Sequence, residues 1–444
     1  MSTGLLTDRY ELTMLDAALA DGTAERRCVF EVFARRLSGG RRFGVVAGTG
    51  RLLELVRAFR FGHTEIEFLR RDGRFSDATL AWLEDYSFRG TITGYREGEL
   101  YFPGSPILTV EGTFAEAVIL ETLVLSVLNY DSAVATAAAR MSIAAGERPL
   151  AEMGSRRAHE EAAVAAARAA YIAGFSATSN LEAGRRWGVP TMGTAAHAWT
   201  LLHESEEEAF RAQIDALGVG TTLLVDTYDI PTGVDTAVRV AGTGLGGVRI
   251  DSGDLPVLAR SVREQLDARG ATGTKITVTS DLDEYAIAAL AASPVDNYGV
   301  GTSVATGSGT PTAGFVYKLV ARQDSDGGWV PVAKASTQKA SHGGRKAAFR
   351  RRVADTATQE LIVVSTGFDA LDEATAHPDA RPLQVELYAD GAPAPQWCGA
   401  EGVRGAREHH AAARAELPMR GFALSASDPA IPTEYAAAQP MRDS

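Results

Sequence analysis

Seven short clusters of charged, hydroxyl and glycine residues recur along the middle of this chain. They are EMGSRR at 152–157, SATSN at 176–180, GTAAH at 193–197, DTYD at 226–229, RIDSGD at 249–254, SDLD at 280–283 and GVGT at 299–302. Taken together they supply a histidine (His197), acids (Asp226, Asp229, Asp251, Asp254 and Asp281) and arginines (Arg156 and Arg249). An aspartate on the far nitrogen of an imidazole fixes the tautomer of a nucleophile or base, so His197 with Asp226 is a candidate reacting pair. Carboxylates such as Asp251 suit the hydroxyls of a ribose, and Arg249 suits an anionic planar ligand. Glycine amides and a hydroxyl in GVGT suit phosphate oxygens. The combination points to a phosphorylated sugar plus a second anion. Each cluster also has a bland alternative. Asp or Ser at such a position can simply cap the next helix, and a lone histidine is often a packing residue. Zinc is disfavoured, because no second histidine stands at ligand spacing on a neighbouring cluster and His203 points elsewhere on its helix.

These clusters need elements that bring them together. Each ends an apolar run, and helical patterns separate them at 160–172, 204–216, 234–240, 256–268 and 284–292. The intervals suit consecutive βα units. Seven or eight such units predict a closed, irregular (β/α) TIM-like barrel, whose strand ends converge on one face. An open doubly wound sheet is the alternative, with the ends spread along an edge. No cluster has the GxGxxG or GxxxxGK spacing of a nucleotide loop. Before this region, residues 5–21 predict a helix with Asp8 and Glu11 at capping-box spacing. Residues 27–33 predict an alternating strand, residues 35–43 an arginine-rich turn, residues 90–112 a small antiparallel unit and residues 114–139 a buried helix. After it, 315–321 and 329–333 read as strands, 334–352 as a basic loop and 408–416 as a helix. The expected organisation is an N-terminal α+β part at 1–135, the barrel at 136–310, and a C-terminal part at 311–444 that packs back on the first.

Composition narrows the class. A net charge of -12 over 444 residues opposes a sequence-independent nucleic-acid binder. Two distant cysteines, Cys28 and Cys398, fit a reducing compartment and exclude a disulfide scaffold. The start MSTGLLTDRYELTM lacks a basic segment followed by an apolar one, and residues 114–128 fall short of a membrane span, so a cytoplasmic enzyme is expected. The lysines are clustered: Lys275, Lys318, Lys334, Lys339 and Lys346 are the only ones in the chain. Compact ammonium charges gathered in one region suit a phosphate site, with compositional accident as the alternative.

The ordered motifs resemble the nicotinate phosphoribosyltransferase family over nearly the whole length: LLTDRYELTM at 5–14, ITGYREGELYFPGSPILTVEG at 92–112, EMGSRR, TSN at 178–180, GTAAHAW at 193–199, VDTYD, GVRIDSGD, SDLDE, GVGT, YKLV at 317–320 and KASTQKASHGGRK at 334–346. The resemblance implies an irregular α/β barrel joined to a second domain built from both chain ends. It also implies the reaction of nicotinate with phosphoribosyl diphosphate, coupled to ATP hydrolysis, giving nicotinate mononucleotide, diphosphate, ADP and phosphate. His197 then resembles the histidine that ATP phosphorylates, with Asp226 holding its imidazole. Arg249 resembles the arginine facing the pyridine acyl group, Asp251 and Asp281 the acids near the ribose, and Gly299, Gly301 and Thr302 the phosphate turn. Arg156 and Tyr10 resemble phosphate-contacting and ring-stacking residues, Tyr10 coming from the neighbouring subunit of a homodimer. Lys334, Lys339 and Lys346 fall in the region that meets polyphosphate. Ser179 stands where related nicotinamide enzymes carry an aspartate, which favours a carboxylate over an amide. Met153 replaces a stacking phenylalanine, and Gly343 replaces a proline. Mg²⁺ is expected on the departing diphosphate. The other readings are a nicotinamide or quinolinate phosphoribosyltransferase without ATP coupling, and a metabolite-sensing barrel without turnover.

Overall fold

The structure is a computed structural model that describes residues 2–334, 342–365 and 380–437. The chain divides into two compact units, one of Met1–Thr136 with Thr310–Ser444 and one of Ala137–Gly309.

In the first unit, a seven-stranded antiparallel sheet runs in the order Trp329–Pro331, Phe315–Gln323, Arg27–Ala34, Leu108–Thr113, Thr91–Tyr95, Gln384–Ala389 and Ala392–Pro393. Early and late strands pair directly, with Phe30 opposite Leu319 and Val32 opposite Tyr317. The strand Arg27–Ala34 is buried at seven of its eight positions, so it does not show the expected one-sided alternation. Its polar residue, Glu31, is buried and paired with Lys346 at 2.9 Å. A second sheet holds Ala380–Pro382, Arg345–Val353, Thr356–Ser365 and Thr433–Ala437. The expected basic loop is therefore a strand over Arg345–Val353, and residues 335–341 lie outside the described residues. The first helix is Arg9–Asp21, without the expected capping box: Asp8 makes no side-chain cap bond. Glu11 is buried and accepts instead from Thr7 and from the amide and hydroxyl of Thr122. The segment Phe114–Ala145 is long and apolar enough to cross a membrane by length and composition, but 67% of its most apolar window is buried inside the protein, as in a core helix. It is built from the helices Phe114–Val118 and Glu121–Ala145.

The second unit carries a parallel sheet of six strands, β1 Leu150–Glu152, β2 Ala177–Thr178, β3 Thr222–Leu224, β4 Gly247–Ile250, β5 Lys275–Val278 and β6 Asn297–Val300. Their order is β2, β1, β6, β5, β4, β3. Register aligns Gly247 with both Thr222 and Lys275, Thr277 with Asn297, and Tyr298 with Leu150. Helices cover the sheet between strands, so the strands read as short apolar runs. Val248, Ile250, Ile276 and Val278 are fully buried, each contributing about 1.5–3 kcal/mol of burial free energy.

A closed barrel, which the seven clusters predict, is not found. Thr191 bridges to Thr178 beside β2, but among the described residues no ladder joins that segment to β3. The Met192 amide still donates to the Thr178 carbonyl at 2.9 Å, and beyond it residues 194–195 are held by a side chain. The Arg249 guanidinium donates to Thr194 Oγ1 at 2.8 Å and to the Ala195 carbonyl at 3.2 Å. A backbone group satisfied in this way has no need of a ladder partner.

Candidate functional site

Parallel strands point all their C-terminal ends the same way, so the polar residues that follow β1 to β6 share one edge of the sheet. Two kinds of carboxylate stand there. Asp229, Asp254 and Asp283 cap the helices Ile230–Ala241, Leu255–Ala268 and Glu284–Ala289, each accepting from an amide two or three residues on. Capping thus accounts for Asp229 and Asp254, while Asp226 and Asp251 make different contacts.

His197 opens the helix His197–Leu202 and is half-buried. Its Nδ1 lies 3.2 Å from the Thr227 hydroxyl, and its Nε2 lies 3.9 Å from Asp226 Oδ1. The Asp226 side chain is 1% exposed. Its Oδ2 accepts from the Asp251 amide and the Ser252 hydroxyl, both at 2.8 Å, whereas its Oδ1 is buried without a hydrogen-bond partner. The buried oxygen without a partner is the one nearest the imidazole.

A chain of polar contacts leads from this pair to Arg249. Asp251 Oδ1 accepts from the Thr279 hydroxyl and lies 3.2 Å from the Arg249 guanidinium. Thr279 Oγ1 in turn accepts from Arg249 Nε at 3.0 Å. Of five guanidinium N–H groups, one serves Thr279, two serve Thr194 and Ala195, and one faces Asp251. One remains for a ligand. Thr194, Thr227, Ser252 and Thr279 were not singled out in the sequence. Thr279 had a signal: it stands two residues beyond Thr277, the register partner of Arg249, and so faces the same side.

The β1 and β6 ends form the other half of the site. The Met153 amide donates to the Val300 carbonyl at 2.7 Å. Gly299 is packed so closely that a Cβ there would meet Met153 Sδ at 2.8 Å and Thr279 Cγ2 at 2.5 Å. Gly299 therefore seats the Met153 thioether, and within the GVGT turn Gly301 and Thr302 are the residues open to a ligand. Gly301 precedes the short helix Thr302–Ala305, and Thr302 is exposed. Buried Glu152 ties this half together. It accepts from the Gly154 amide and the Thr178 hydroxyl, and burial raises its carboxyl above the ordinary range despite both bonds. Ser179 is exposed at the end of β2 with its amide on the Glu152 carbonyl at 2.8 Å. Arg156 is exposed in the turn Ser155–Arg157, which Ser155 joins to Asn180 at 3.0 Å. Asp281 is exposed after Ser280, whose φ of 119° is unusual for a residue with a side chain.

The remaining expected site residues belong to the first unit. Tyr10 is 46% exposed on the helix Arg9–Asp21. Lys334 is exposed, and Lys339 lies outside the described residues. Lys346 corrects the expectation of a phosphate contact: its ammonium is 1% exposed and bonded to Glu31. A buried lysine in an ion pair has no charge to offer a solvent-borne polyphosphate.

Known proteins share this sequence and fold. Residues 5–129 match the family model described as nicotinate phosphoribosyltransferase (NAPRTase) N-terminal domain. The nicotinate phosphoribosyltransferase pncB1 of Mycobacterium tuberculosis is 57% identical over 97% of this chain and 94% of its own length. The human enzyme of that name is 33% identical over 78% of this chain and 76% of its own. The crystal structure of human nicotinic acid phosphoribosyltransferase superposes with a TM-score of 0.79 at 27% identity, covering 96% of this chain and 97% of that one. More than half of all residues are thus shared along almost the entire length of such an enzyme, and this chain belongs to the nicotinate phosphoribosyltransferase family.

Proposed function

We propose that this nicotinate phosphoribosyltransferase couples its reaction to ATP through His197. The observation that carries the reading is the Asp226 carboxylate, whose Oδ1 is buried, without a hydrogen-bond partner and 3.9 Å from the imidazole. A phosphoryl group on one ring nitrogen leaves the N–H of the other for that oxygen. Phosphorylation then raises the affinity for phosphoribosyl diphosphate, and hydrolysis of the phosphohistidine releases the products, a differential-affinity coupling.

For the transfer itself, Arg249 offers its remaining N–H to the nicotinate carboxylate, and the Met153 thioether covers a ring face. Ser179 leaves the β2 end without a negative charge, which favours nicotinate over nicotinamide. Asp251 and Asp281 hold ribose hydroxyls, while Arg156, Gly301 and Thr302 meet phosphate. The pyridine nitrogen attacks C1 of the ribose as diphosphate leaves, so the protein's contribution is orientation and charge stabilisation. Among the described residues no cluster of three His, Cys, Asp or Glu side chains could hold a metal ion. Mg²⁺ bound with the substrate would neutralise charge on the departing diphosphate.

The same reading makes the parallel sheet an irregular barrel, with residues 191–196 standing in the gap between β2 and β3. It also makes the active form a cytoplasmic homodimer. Leu181, Leu202, Tyr228, Val257 and Tyr285 are large and exposed around the C-terminal ends of the sheet, an apolar rim that a second copy would cover. Tyr10 of the partner subunit would then stack on the nicotinate ring.

The test is the variant His197→Ala, assayed for nicotinate mononucleotide with and without ATP and for acid-labile ³²P from γ-labelled ATP. Loss of both the stimulation and the label is expected. Retention of either refutes the assignment.

A further inference from the structure

Among the described residues of the second unit, two that are not glycine have positive φ: Ser280 at 119° and Ser308 at 51°. Such conformations cost free energy in a residue with a side chain and persist where the surroundings hold them. Ser280 stands directly before Asp281, and Ser308 closes the turn that begins at Gly301 and Thr302. The Ser308 amide donates to the Ser303 carbonyl at 2.6 Å, and the Thr306 amide ends the helix Thr302–Ala305 on the Thr302 carbonyl at 3.0 Å. The two strained residues thus mark the ends of β5 and β6, read above as gripping ribose and phosphate.

One buried carboxylate joins these two ends. Glu284, three residues beyond Asp281, opens the helix Glu284–Ala289. Its Oε2 accepts from the Ser308 hydroxyl at 2.7 Å, and its Oε1 accepts from Arg140 Nε at 3.0 Å. Both members of the ion pair are buried, with the Arg140 and Glu284 side chains 6% and 4% exposed. The Arg140 guanidinium also donates to the Tyr285 hydroxyl at 3.2 Å. Asp283 holds the same segment through the amides of Tyr285 and Ala286, at 2.9 and 2.8 Å. Burial by itself raises the Glu284 carboxyl, but hydrogen bonds from Ser308, its own amide and Arg140 outweigh it and hold the group below the ordinary carboxylate range. A structural ion pair would need Arg140 alone; here the second oxygen fixes Ser308.

We propose that Glu284 and Ser308 are positioning residues for phosphoribosyl diphosphate, a clamp that fixes the Asp281 end of β5 against the Gly301–Thr302 turn after β6. The sheet sets the two strands side by side only as far as the register pair Val278 and Tyr298. Beyond that pair the Glu284–Ser308 bond ties one loop to the other. A ribose held at Asp281 and a phosphate held at Thr302 belong to one molecule, so the spacing of the two loops must match it. A misplacement of about 1 Å caused from outside the reacting groups can cost about 100-fold. Nicotinate is assigned to Arg249 and Met153, at the ends of β4 and β1, outside the clamp. The proposal rests on the reading that Asp281 and Thr302 meet phosphoribosyl diphosphate.

The experiment is steady-state kinetics on the full-length protein with ATP present, varying phosphoribosyl diphosphate and nicotinate in turn, with thermal melting of each variant. Ser308→Ala removes the hydroxyl and leaves the Arg140–Glu284 pair. Ser308→Gly also removes it but adopts the positive φ without strain, so it should melt above Ser308→Ala. Both should raise KM for phosphoribosyl diphosphate by about 5- to 20-fold, part of the roughly 10- to 150-fold that a hydrogen bond to a charged group is worth, and change KM for nicotinate by less than about twofold. Glu284→Ala should raise the same KM, and adding Ser308→Ala to it should contribute less than about twofold more, because the two act as one unit. A KM for phosphoribosyl diphosphate that is unchanged in Ser308→Ala, restored in Ser308→Gly, or raised equally with that for nicotinate overturns the clamp, as does full additivity in a folded double variant. Should Glu284→Ala not fold, the two Ser308 variants decide alone. Thr302→Ala is the control for the underlying reading: if it leaves KM for phosphoribosyl diphosphate unaltered, the placement of the phosphate is wrong and the clamp falls with it. If it raises that KM, the Ser308 outcomes bear on the clamp alone.

Discussion

Replacing Arg249 by lysine keeps the positive charge at the end of β4 and removes its shape. The guanidinium spans Thr279 at 3.0 Å, Thr194 at 2.8 Å, Ala195 at 3.2 Å and Asp251 at 3.2 Å. A lysine ammonium is a point donor on a flexible stem and cannot reach such a spread of acceptors at once. It will settle on Asp251, the one carboxylate in the set, and withdraw from the ligand. What would be lost at the substrate is the single N–H proposed to hold the nicotinate carboxylate. One charge-assisted hydrogen bond is worth about 1.5–3 kcal/mol, or roughly 10- to 150-fold in kcat/KM for nicotinate. Residues 194–195 also lose their tether, so a modest fall in thermal stability is expected alongside. Steady-state kinetics with each substrate varied in turn make the check specific: KM for nicotinate should rise while KM for phosphoribosyl diphosphate changes by less than about threefold. An Arg249→Lys enzyme with an unaltered nicotinate KM would show that the carboxylate is held elsewhere.

Three further outcomes follow from the packing. Gly299→Ala places a methyl group against Met153 and Thr279, an overpacking cost of about 1–3 kcal/mol that denaturant unfolding will read, with nicotinate binding weakened as Met153 is displaced. Lys346→Ala strands the buried Glu31 carboxylate and should cost about 3–5 kcal/mol of stability; an unchanged stability with a raised KM for phosphoribosyl diphosphate would restore the phosphate role. His410 is buried with Nδ1 facing the Gly98 carbonyl at 3.0 Å, and burial lowers its pKa from 6.5 to about 4. Below pH 6.5 the unfolded chain takes a proton that the folded protein refuses, so stability falls as pH drops from 6.5 to about 4. The loss is on the order of 3 kcal/mol. Unfolding free energies across that window should flatten in His410→Gln.

What the sequence made legible was local. Each strand end announces itself by an apolar run that breaks into charge within a few residues, and the clusters at Glu152, Thr178, Asp226, Arg249, Ser280 and Gly299 stand in or directly after parallel strands. The His197 cluster follows the Thr191 bridge. The misreadings came from partners distant along the chain. The Asp8 and Glu11 spacing is a sound cap signature, but Glu11 is claimed by Thr122. Lys346 sits in a basic stretch, yet its counter-ion is Glu31, on a strand near the other end of the chain. Barrel closure was not legible for a different reason: periodicity counts strands but does not show whether the outermost two pair. That one Asp226 oxygen is buried without a hydrogen-bond partner could not be read from the sequence.

The paired acids after β3, β4 and β5 have a consequence for how this enzyme can change. In DTYD and DSGD the second aspartate holds the helix start while the first meets the site, and SDLD divides the same work over a shorter spacing. On the proposed roles, folding and reactivity fall to different side chains two or three residues apart. Chemistry can be retuned at Asp226, Asp251 or Asp281 while Asp229, Asp254 and Asp283 keep their helices anchored. Drift at the anchoring positions erodes the scaffold by about 1 kcal/mol per cap without rewriting the reaction. Such separability lets one scaffold keep its helices in place while its ligand preferences diverge.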